Sequence, residues 1–268
     1  MTDQPRRGLP ILGQLSPLSA AFLVGTVVLS LAAMVLDFGL HADHSLLFIV
    51  SAGAILGLAW VVGLSTERLG SITGPQVGGI LNATFGNIAE LIIAFFALQA
   101  GLIEVVKASL TGSIIGNLLL VLGLSALVGG LRNGSQHFSA KIAVSNIALL
   151  VLALIGLFVP AIFALTTHEP TQGSITQESV LVAIVLIVGY VLSLIFQFSH
   201  PNAMLGAEVE DEGGGPPWSG RTAIVVLLGA AVLLAVLSEI LVSSIEPFIA
   251  SFGLSFFFVG VVIIPTIG

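Results

Sequence analysis

Long apolar runs separated by short polar turns dominate the chain. A helix needs roughly 20 apolar residues to cross a bilayer, and seven runs reach about that length while an eighth opens near Ser255. Counted coarsely, the runs are residues 19–38, 46–65, 77–98, 105–128, 142–165, 180–198 and 222–245. Inside lipid, backbone amides must be hydrogen-bonded within their own segment. The pattern therefore predicts an all-α polytopic membrane protein.

Composition supports this prediction and narrows the chemistry. Apolar residues make up 56% of the chain and charged residues 8%, which is not the composition of a soluble domain. Cysteine is absent, so the sequence offers neither a disulfide nor a thiolate metal site. Hydrolase, nucleotide-binding and dinucleotide-binding motifs are also absent from the sequence. We expect no enzymatic activity, no bound cofactor and no nucleic-acid partner.

The basic residues predict an orientation in the membrane. If the runs cross the membrane one after another, six of the seven lysine and arginine residues lie on one side of the membrane, and only Lys107 lies on the other. Basic residues accumulate on the cytoplasmic side of membrane proteins. We therefore expect an integral protein of a bacterial-type inner (plasma) membrane, with its N-terminus in the cytoplasm.

Polar residues lie deep within two of the apolar runs. Asn87 and Glu90 are three positions apart in the third run, and Ser113 and Asn117 are four apart in the fourth. Residues at these spacings share one helix face. We expect Gly86 to loosen the third helix and to free a backbone carbonyl. Carboxylate, amide, hydroxyl and carbonyl oxygens are the ligands that a hard cation such as Ca²⁺ prefers.

Two other interpretations of these residues stay open. Asn87, Ser113 and Asn117 could be hydrogen-bonding contacts between helices, worth roughly 0.6–2 kcal/mol each. Glu90 could hold a proton, since burial disfavours the charged form of a carboxyl group. A lone carboxylate at mid-membrane costs roughly 3 kcal/mol on insertion scales and is a functional candidate by default.

A second acidic pair follows in the seventh run. Glu239 and Glu246 are two helical turns apart, so a continuous helix would place them on one face. A gating or proton-relay role is the functional hypothesis for Glu239, whereas Glu246 fits an interface residue.

The same pattern divides the chain into four segments. We expect a cytoplasmic segment over residues 1–17, a six-helix group over 18–199, an acidic cytoplasmic linker over 200–220, and the start of a second membrane group over 221–268. Many transporters repeat a helical unit in inverted orientation, with the substrate site between the repeats. A second copy of the Gly-Asn-x-x-Glu run does not follow within the 268 residues.

Two runs of sequence resemble a known family. Residues 78–91 read GGILNATFGNIAEL and residues 106–117 read VKASLTGSIIGN. Together they resemble the first α-repeat, about residues 75–130, of calcium/proton antiporters in the cation/calcium exchanger superfamily. The acidic linker is similar to that family's acidic helix, and SEILV at residues 238–242 looks like the opening of its second half.

The resemblance implies an inverted-repeat exchanger that moves calcium in exchange for protons. It implies that Asn87 and Glu90 coordinate Ca²⁺ from one helix, that Ser113 and Asn117 line the site from the next, and that the Gly86 carbonyl is a further ligand. Glu90 would bind Ca²⁺ and H⁺ in turn. On this resemblance, Ca²⁺ and H⁺ are the transported substrates, and the protein lies in a lipid bilayer. A homo-oligomer is compatible with this function.

The resemblance also leaves alternatives. Family members have a second α-repeat that supplies another glutamate, so we expect this chain to be an N-terminal portion that would need that repeat for a complete site. One alternative is a sodium/calcium-type cation exchanger. Another is an inactive, truncated membrane protein that lacks half of the ion site.

Overall fold

Helices account for the fold throughout the part of the chain that the structure describes. The computed structural model describes residues 15–135, 140–166, 172–199 and 218–268, and these contain no strand. The predicted all-α membrane fold is therefore confirmed. In chain order the helices are α1 Pro17–Met34, α2 His44–Thr73, α3 Pro75–Phe85, α4 Ile88–Gln99, α5 Ile103–Ile115, α6 Leu122–Asn133, α7 Ala140–Thr166, α8 Gln172–Ser199, α9 Gly220–Ser243, α10 Ile245–Phe252, α11 Phe256–Phe258 and α12 Ile264–Ile267.

Within the described residues, three π-helical turns continue these helices. They are Val35–Gly39 after α1, Gly116–Val121 between α5 and α6, and Val259–Ile263 between α11 and α12. A π turn inserts an extra residue into a helical turn, and such turns are frequent at functional sites. The second of them contains Asn117, one of the residues singled out above.

Local sequence explains where the first two long helices begin and end. Ser16 caps α1, because its hydroxyl accepts a hydrogen bond of 3.1 Å from the backbone N–H of Ser19. Asp43 caps α2, because its carboxylate accepts one of 2.9 Å from the N–H of Ser45. Helix α2 ends at Gly74, whose φ of +94° is a left-handed conformation that favours glycine.

The chain divides into two compact units, which are described separately. Unit 1 comprises Met1–Gly134 and Glu210–Gly268, and within its described residues it contains α1–α6 and α9–α12. Unit 2 comprises Ser135–Val209 and contains the packed pair α7 and α8. The predicted linker over residues 200–220 lies mostly outside the described residues, so the four-segment division stays a prediction.

Helix α2 is the centre of unit 1. It packs against α1, α3 and α9, and α9 packs in turn against α4. The Phe48 and Phe248 rings stack with centroids 4.0 Å apart, which joins α2 to α10. Helices α2 and α3 are in direct backbone contact, since a methyl group added to Gly78 would lie 2.7 Å from the Gly70 Cα. The apolar core of this unit is therefore built around α2.

Six helices of the described chain are long and apolar enough to cross a membrane. They comprise α1 with its π turn, α2, the span from α5 through α6, parts of α7 and of α8, and α9. A seventh candidate is the bent pair Ile245–Phe252 and Phe256–Ile267, whose two parts meet at 118°. The described fold thus contains most of the predicted spans as single helices.

One apolar run does not form the single helix that its length suggests. The third run is interrupted between α3, which ends at Phe85, and α4, which begins at Ile88. The seventh run forms α9, which ends at Ser243, so Glu239 lies on α9 and Glu246 on the next helix, α10. The expectation that these two glutamates share one helix face was wrong, because the helix ends between them.

Candidate ion site at a helix interruption

The interruption between α3 and α4 consists of Gly86 and Asn87. The Gly86 N–H still donates to the Asn82 carbonyl at 2.8 Å, and the Leu91 N–H donates to the Asn87 carbonyl at 3.1 Å. Helical hydrogen bonding within α3 therefore ends with the Gly86 N–H, and that of α4 begins at the Asn87 carbonyl. A broken helix brings the carbonyl end of one half close to the N–H end of the next, and both ends can interact with ions. The helix is interrupted at Gly86 as expected, and a freed Gly86 carbonyl stays a prediction.

Glu90 lies in the first turn of α4, directly after this interruption. Its side chain is half-buried, and its Oε2 atom is buried without a hydrogen-bond partner among the described residues. Burying an oxygen of this kind without a partner costs about 1–3 kcal/mol, and more when it is charged. Each such group in a folded protein calls for an explanation, and a role in ion binding is one of them.

Gly268, immediately after α12, contacts the Glu90 side chain. A Cβ built on Gly268 would lie 2.9 Å from Glu90 Cγ, 3.0 Å from Cδ and 3.3 Å from Oε2. These distances are shorter than the 3.4–4 Å of an ordinary van der Waals contact. The Glu90 side chain therefore packs against the Gly268 backbone, and a methyl group at Gly268 would force this side chain to shift.

Ser113 and Asn117 form the second polar pair. Asn117 Nδ2 donates to Ser113 Oγ at 3.5 Å, a long hydrogen bond between residues four positions apart. Ser113 is half-buried near the end of α5, whereas Asn117 is exposed in the π turn that follows. Their predicted shared face is confirmed by this contact.

The structure brings the predicted residues together in two groups. In the first group, Glu90 contacts Gly268 and lies beside the interruption formed by Gly86 and Asn87. In the second group, Asn117 is hydrogen-bonded to Ser113. Helix α5 packs against α4 and also against α12. The elements that carry the two groups are therefore in contact with each other.

Gly268 is the residue in this arrangement that was not predicted as part of the site. A sequence signal for it exists, since Gly260 precedes Gly268 by eight positions just as Gly78 precedes Gly86. On α5, Gly112 contacts Val261, whereas Gly116 has no neighbour within 4 Å of an added Cβ.

Several other charged residues of the described chain are exposed. Glu239 and Glu246 are exposed on α9 and α10, and Glu104 and Lys107 are exposed near the start of α5. Among the described residues, no group of three or more His, Cys, Asp or Glu side chains could hold a metal ion. The polar groups available here are thus one carboxylate together with neutral side-chain and backbone oxygens.

The long apolar helices make this an all-α integral membrane protein. Some of the helices are interrupted, and a carboxylate lies at one interruption, so polar groups are placed inside the spans. The chain belongs to the sodium/calcium exchanger family, whose sequence model, described as sodium/calcium exchanger protein, matches residues 44–199. The resemblance to cation/calcium exchangers is therefore confirmed.

Similar proteins include Ca²⁺/H⁺ antiporters and a cation/proton exchanger. The chain is 42% identical over 236 residues to the Ca²⁺/H⁺ antiporter ChaA of Bacillus subtilis, covering 85% of this chain and 66% of that protein. It is 38% identical over 256 residues to a Ca²⁺/H⁺ antiporter of Aphanothece halophytica, covering 90% and 69%. It is 39% identical over 240 residues to vacuolar cation/proton exchanger 3 of Oryza sativa, covering 84% and 57%.

Two solved structures share the fold. The structure of native YfkE matches with a TM-score of 0.75 and 35% identity, over 92% of this chain and 68% of that one. The selenium-substituted Ca²⁺/H⁺ antiporter protein YfkE matches with a TM-score of 0.74 and 36% identity, over 94% and 69%. The chain thus has the exchanger architecture and spans about 57–69% of the length of these relatives.

Proposed function

We propose that the protein carries out exchange of Ca²⁺ for H⁺ across a membrane, with Glu90 binding the two ions alternately. The observation that carries the proposal is the Glu90 carboxyl group, whose Oε2 is buried without a hydrogen-bond partner among the described residues at a helix interruption. The relatives named as Ca²⁺/H⁺ antiporters support the choice of ions. Ca²⁺ and H⁺ are substrates in this proposal, and no resident cofactor takes part.

The proposed binding set follows the polar groups around the interruption. Glu90 supplies the negative charge, while Asn87, Ser113 and Asn117 supply neutral side-chain oxygens and Gly86 supplies a backbone carbonyl. Ca²⁺ takes 6–8 oxygen ligands, so water or further residues complete the shell. When a proton occupies Glu90, the negative charge that attracts the divalent ion is lost, and this couples the two ions on one group.

Calcium uptake driven by a pH gradient tests this function. The 268-residue chain is reconstituted in vesicles, a pH gradient is imposed, and entry of radioactive Ca²⁺ is followed. We expect uptake that collapses when an ionophore dissipates the gradient. Folded protein that gives no uptake and no Ca²⁺ binding would overturn the proposal for this chain.

A sodium-coupled exchanger is the second candidate, since the family description itself names sodium and calcium. The same vesicles distinguish the two, with a sodium gradient imposed at equal pH on both sides. Uptake under the sodium gradient and none under the pH gradient would replace the proton by sodium as the coupled ion.

We also propose that the N-terminus lies in the cytoplasm. If the apolar runs cross the membrane one after another, most of the basic residues lie on the same side as the N-terminus, and basic residues accumulate on the cytoplasmic side. The chain has no cysteine, so single cysteines can be introduced without background. We expect a cysteine at His41 to react with an impermeant maleimide added to intact cells, and one at Asn133 to stay unlabelled until the membrane is opened. The reverse labelling pattern would invert the orientation.

Glu239 is proposed as a proton relay or gating residue. It is an exposed carboxylate on α9, the helix that packs against α4 and therefore against the element carrying Glu90. We expect Glu239→Gln to slow proton-driven uptake about tenfold, because relay groups typically contribute at least that much, and to leave Ca²⁺ affinity unchanged.

The matched control is Glu246→Gln, an exposed carboxylate on the neighbouring helix α10. Uptake rate and equilibrium Ca²⁺ binding are measured for both variants. Equal uptake by Glu239→Gln, Glu246→Gln and the unsubstituted chain would remove Glu239 from the mechanism.

A further inference from the structure

Helix α5 and the π turn Val259–Ile263 cross with their backbones in direct contact. A methyl group on Gly112 would lie 2.6 Å from the Val261 Cα and 2.8 Å from its carbonyl carbon. A methyl group on Gly260 would lie 2.5 Å from the Ala108 Cβ and 3.0 Å from the Val105 carbonyl oxygen. Real Cβ atoms essentially never approach other atoms closer than 3.0 Å. Neither glycine position therefore leaves room for a methyl group unless the two elements move apart.

Each element of this crossing leads along the chain to one polar group of the site. On one side, Gly112 directly precedes Ser113, which hydrogen-bonds Asn117. On the other, the chain runs from Gly260 through α12 to Gly268, which contacts Glu90. If the two backbones moved apart, α5 would shift the oxygens of Ser113 and Asn117. The turn and α12 would shift Gly268 and therefore the Glu90 carboxylate that it contacts.

A larger side chain at the crossing has no place to go. The atoms facing Gly112 belong to the Val261 backbone, which cannot rotate away as the end of a flexible side chain can. Restoring an ordinary contact of 3.4–4 Å from 2.6 Å requires the elements to separate by about 1 Å. Interiors are packed closely enough to transmit such a displacement.

We propose that Gly112 and Gly260 are positioning residues that set the distance between the Glu90 group and the Ser113–Asn117 group, and thereby select divalent ions by size. The inference rests on the proposed function, because it assumes that both groups face one ion. Ca²⁺ binds oxygens at 2.3–2.6 Å and Mg²⁺ at 2.0–2.1 Å, and selectivity between ions depends on cavity size and rigidity. A separation of about 1 Å exceeds the difference between the ion–oxygen distances of Ca²⁺ and Mg²⁺.

The test measures ion preference in the 268-residue chain. Bound radioactive Ca²⁺ is displaced by Sr²⁺, which is larger, or by Mn²⁺, which is smaller, and the ratios of dissociation constants are compared. We expect Gly112→Ala and Gly260→Ala to shift the preference toward Sr²⁺ by roughly three- to tenfold, because a wider site fits the larger ion better.

Two further variants keep the test independent of folding failure. Ala108→Gly removes the methyl group that faces Gly260, so the elements can approach and the preference should shift toward Mn²⁺. Combining Ala108→Gly with Gly260→Ala moves the methyl group to the opposite element, and we expect a Sr²⁺ preference smaller than in Gly260→Ala alone. Opposite shifts from opposite changes in bulk are not a consequence of general destabilisation.

Gly123→Ala is the matched control, since a Cβ there meets nothing within 4 Å and α6 lies beyond the π turn. We expect it to keep the ion preference of the unsubstituted chain. Ca²⁺ binding with unchanged preference in Gly112→Ala, Gly260→Ala and Ala108→Gly would overturn the spacing inference alone. Absence of divalent-ion binding in the unsubstituted chain would overturn the proposed function and this inference with it.

Discussion

Replacing Glu90 with glutamine is expected to abolish Ca²⁺ uptake and to weaken Ca²⁺ binding about a thousandfold. Glutamine has nearly the same size and keeps one side-chain oxygen, so the principal change is the loss of negative charge. Two unit charges 4 Å apart interact by about 4 kcal/mol at an effective dielectric constant of 20, and 1.4 kcal/mol corresponds to a factor of ten. A divalent ion in direct contact loses at least this much.

The same substitution should also remove the competition between protons and Ca²⁺. In the unsubstituted chain, both ions compete for Glu90, so Ca²⁺ binding weakens as the solution is acidified. In Glu90→Gln the residual binding should no longer depend on this group. Isothermal titration at several pH values measures the effect directly.

Glu104→Gln is the control for this experiment. Glu104 is an exposed carboxylate in the first turn of α5, and its replacement changes the net charge by the same amount. We expect uptake within about twofold of the unsubstituted chain, since exposed charges interact weakly through water. Near-normal, proton-driven uptake by Glu90→Gln would remove Glu90 from the ion site.

Replacing Gly268 with alanine is expected to reduce Ca²⁺ affinity about tenfold to a hundredfold, the second largest effect. The added methyl group would lie 2.9 Å from Glu90 Cγ, and an ordinary contact needs 3.4–4 Å. The atoms in the way belong to a flexible side chain, so the carboxylate moves while the helices keep their positions. Binding sites need their groups within about 0.5 Å of the productive geometry.

A double-mutant cycle shows whether this loss acts through Glu90. Glu90→Asp shortens the side chain by one methylene and makes room for the methyl group of Gly268→Ala. We expect the double variant to bind Ca²⁺ about as well as Glu90→Asp alone, a strongly non-additive result. Losses that multiply independently would contradict the contact between Gly268 and Glu90. Thermal unfolding of each variant in detergent serves as the check on global stability.

The breaks at Gly86–Asn87 and at Ser244 show where a periodic pattern stops being informative. Residues 77–98 have the length and composition of a single span, yet the helix is interrupted within them. Glycine and asparagine favour a break there, and that loosening was predicted. Helix α9 forms the run 222–245 except for its last two residues. It stops at Ser243 because Pro247 has no N–H to donate to the Ser243 carbonyl, and the proline ring crowds that carbonyl.

The candidate site shows the same division. The spacing of Ser113 and Asn117 was enough to predict their contact, because both lie on one continuous stretch of helix. The contact of Glu90 with Gly268 joins residues 178 positions apart, 268 minus 90. Helical periodicity relates neighbours within one segment and carries no information about which distant backbone will pack against it.

Apolar runs of this length can satisfy their backbone amides in lipid only as helices, so the residues alone were enough to predict a helical, membrane-embedded protein. The same runs contain Glu90 and three uncharged polar side chains, which could be predicted as a site because polar groups at such depth are costly. The packing of Gly268 on Glu90, and the contact of α5 with the Val259–Ile263 turn at Gly112 and Gly260, became visible only in the folded protein. Those contacts depend on how separate helices cross, and a close crossing is fixed by the shapes of both partners together.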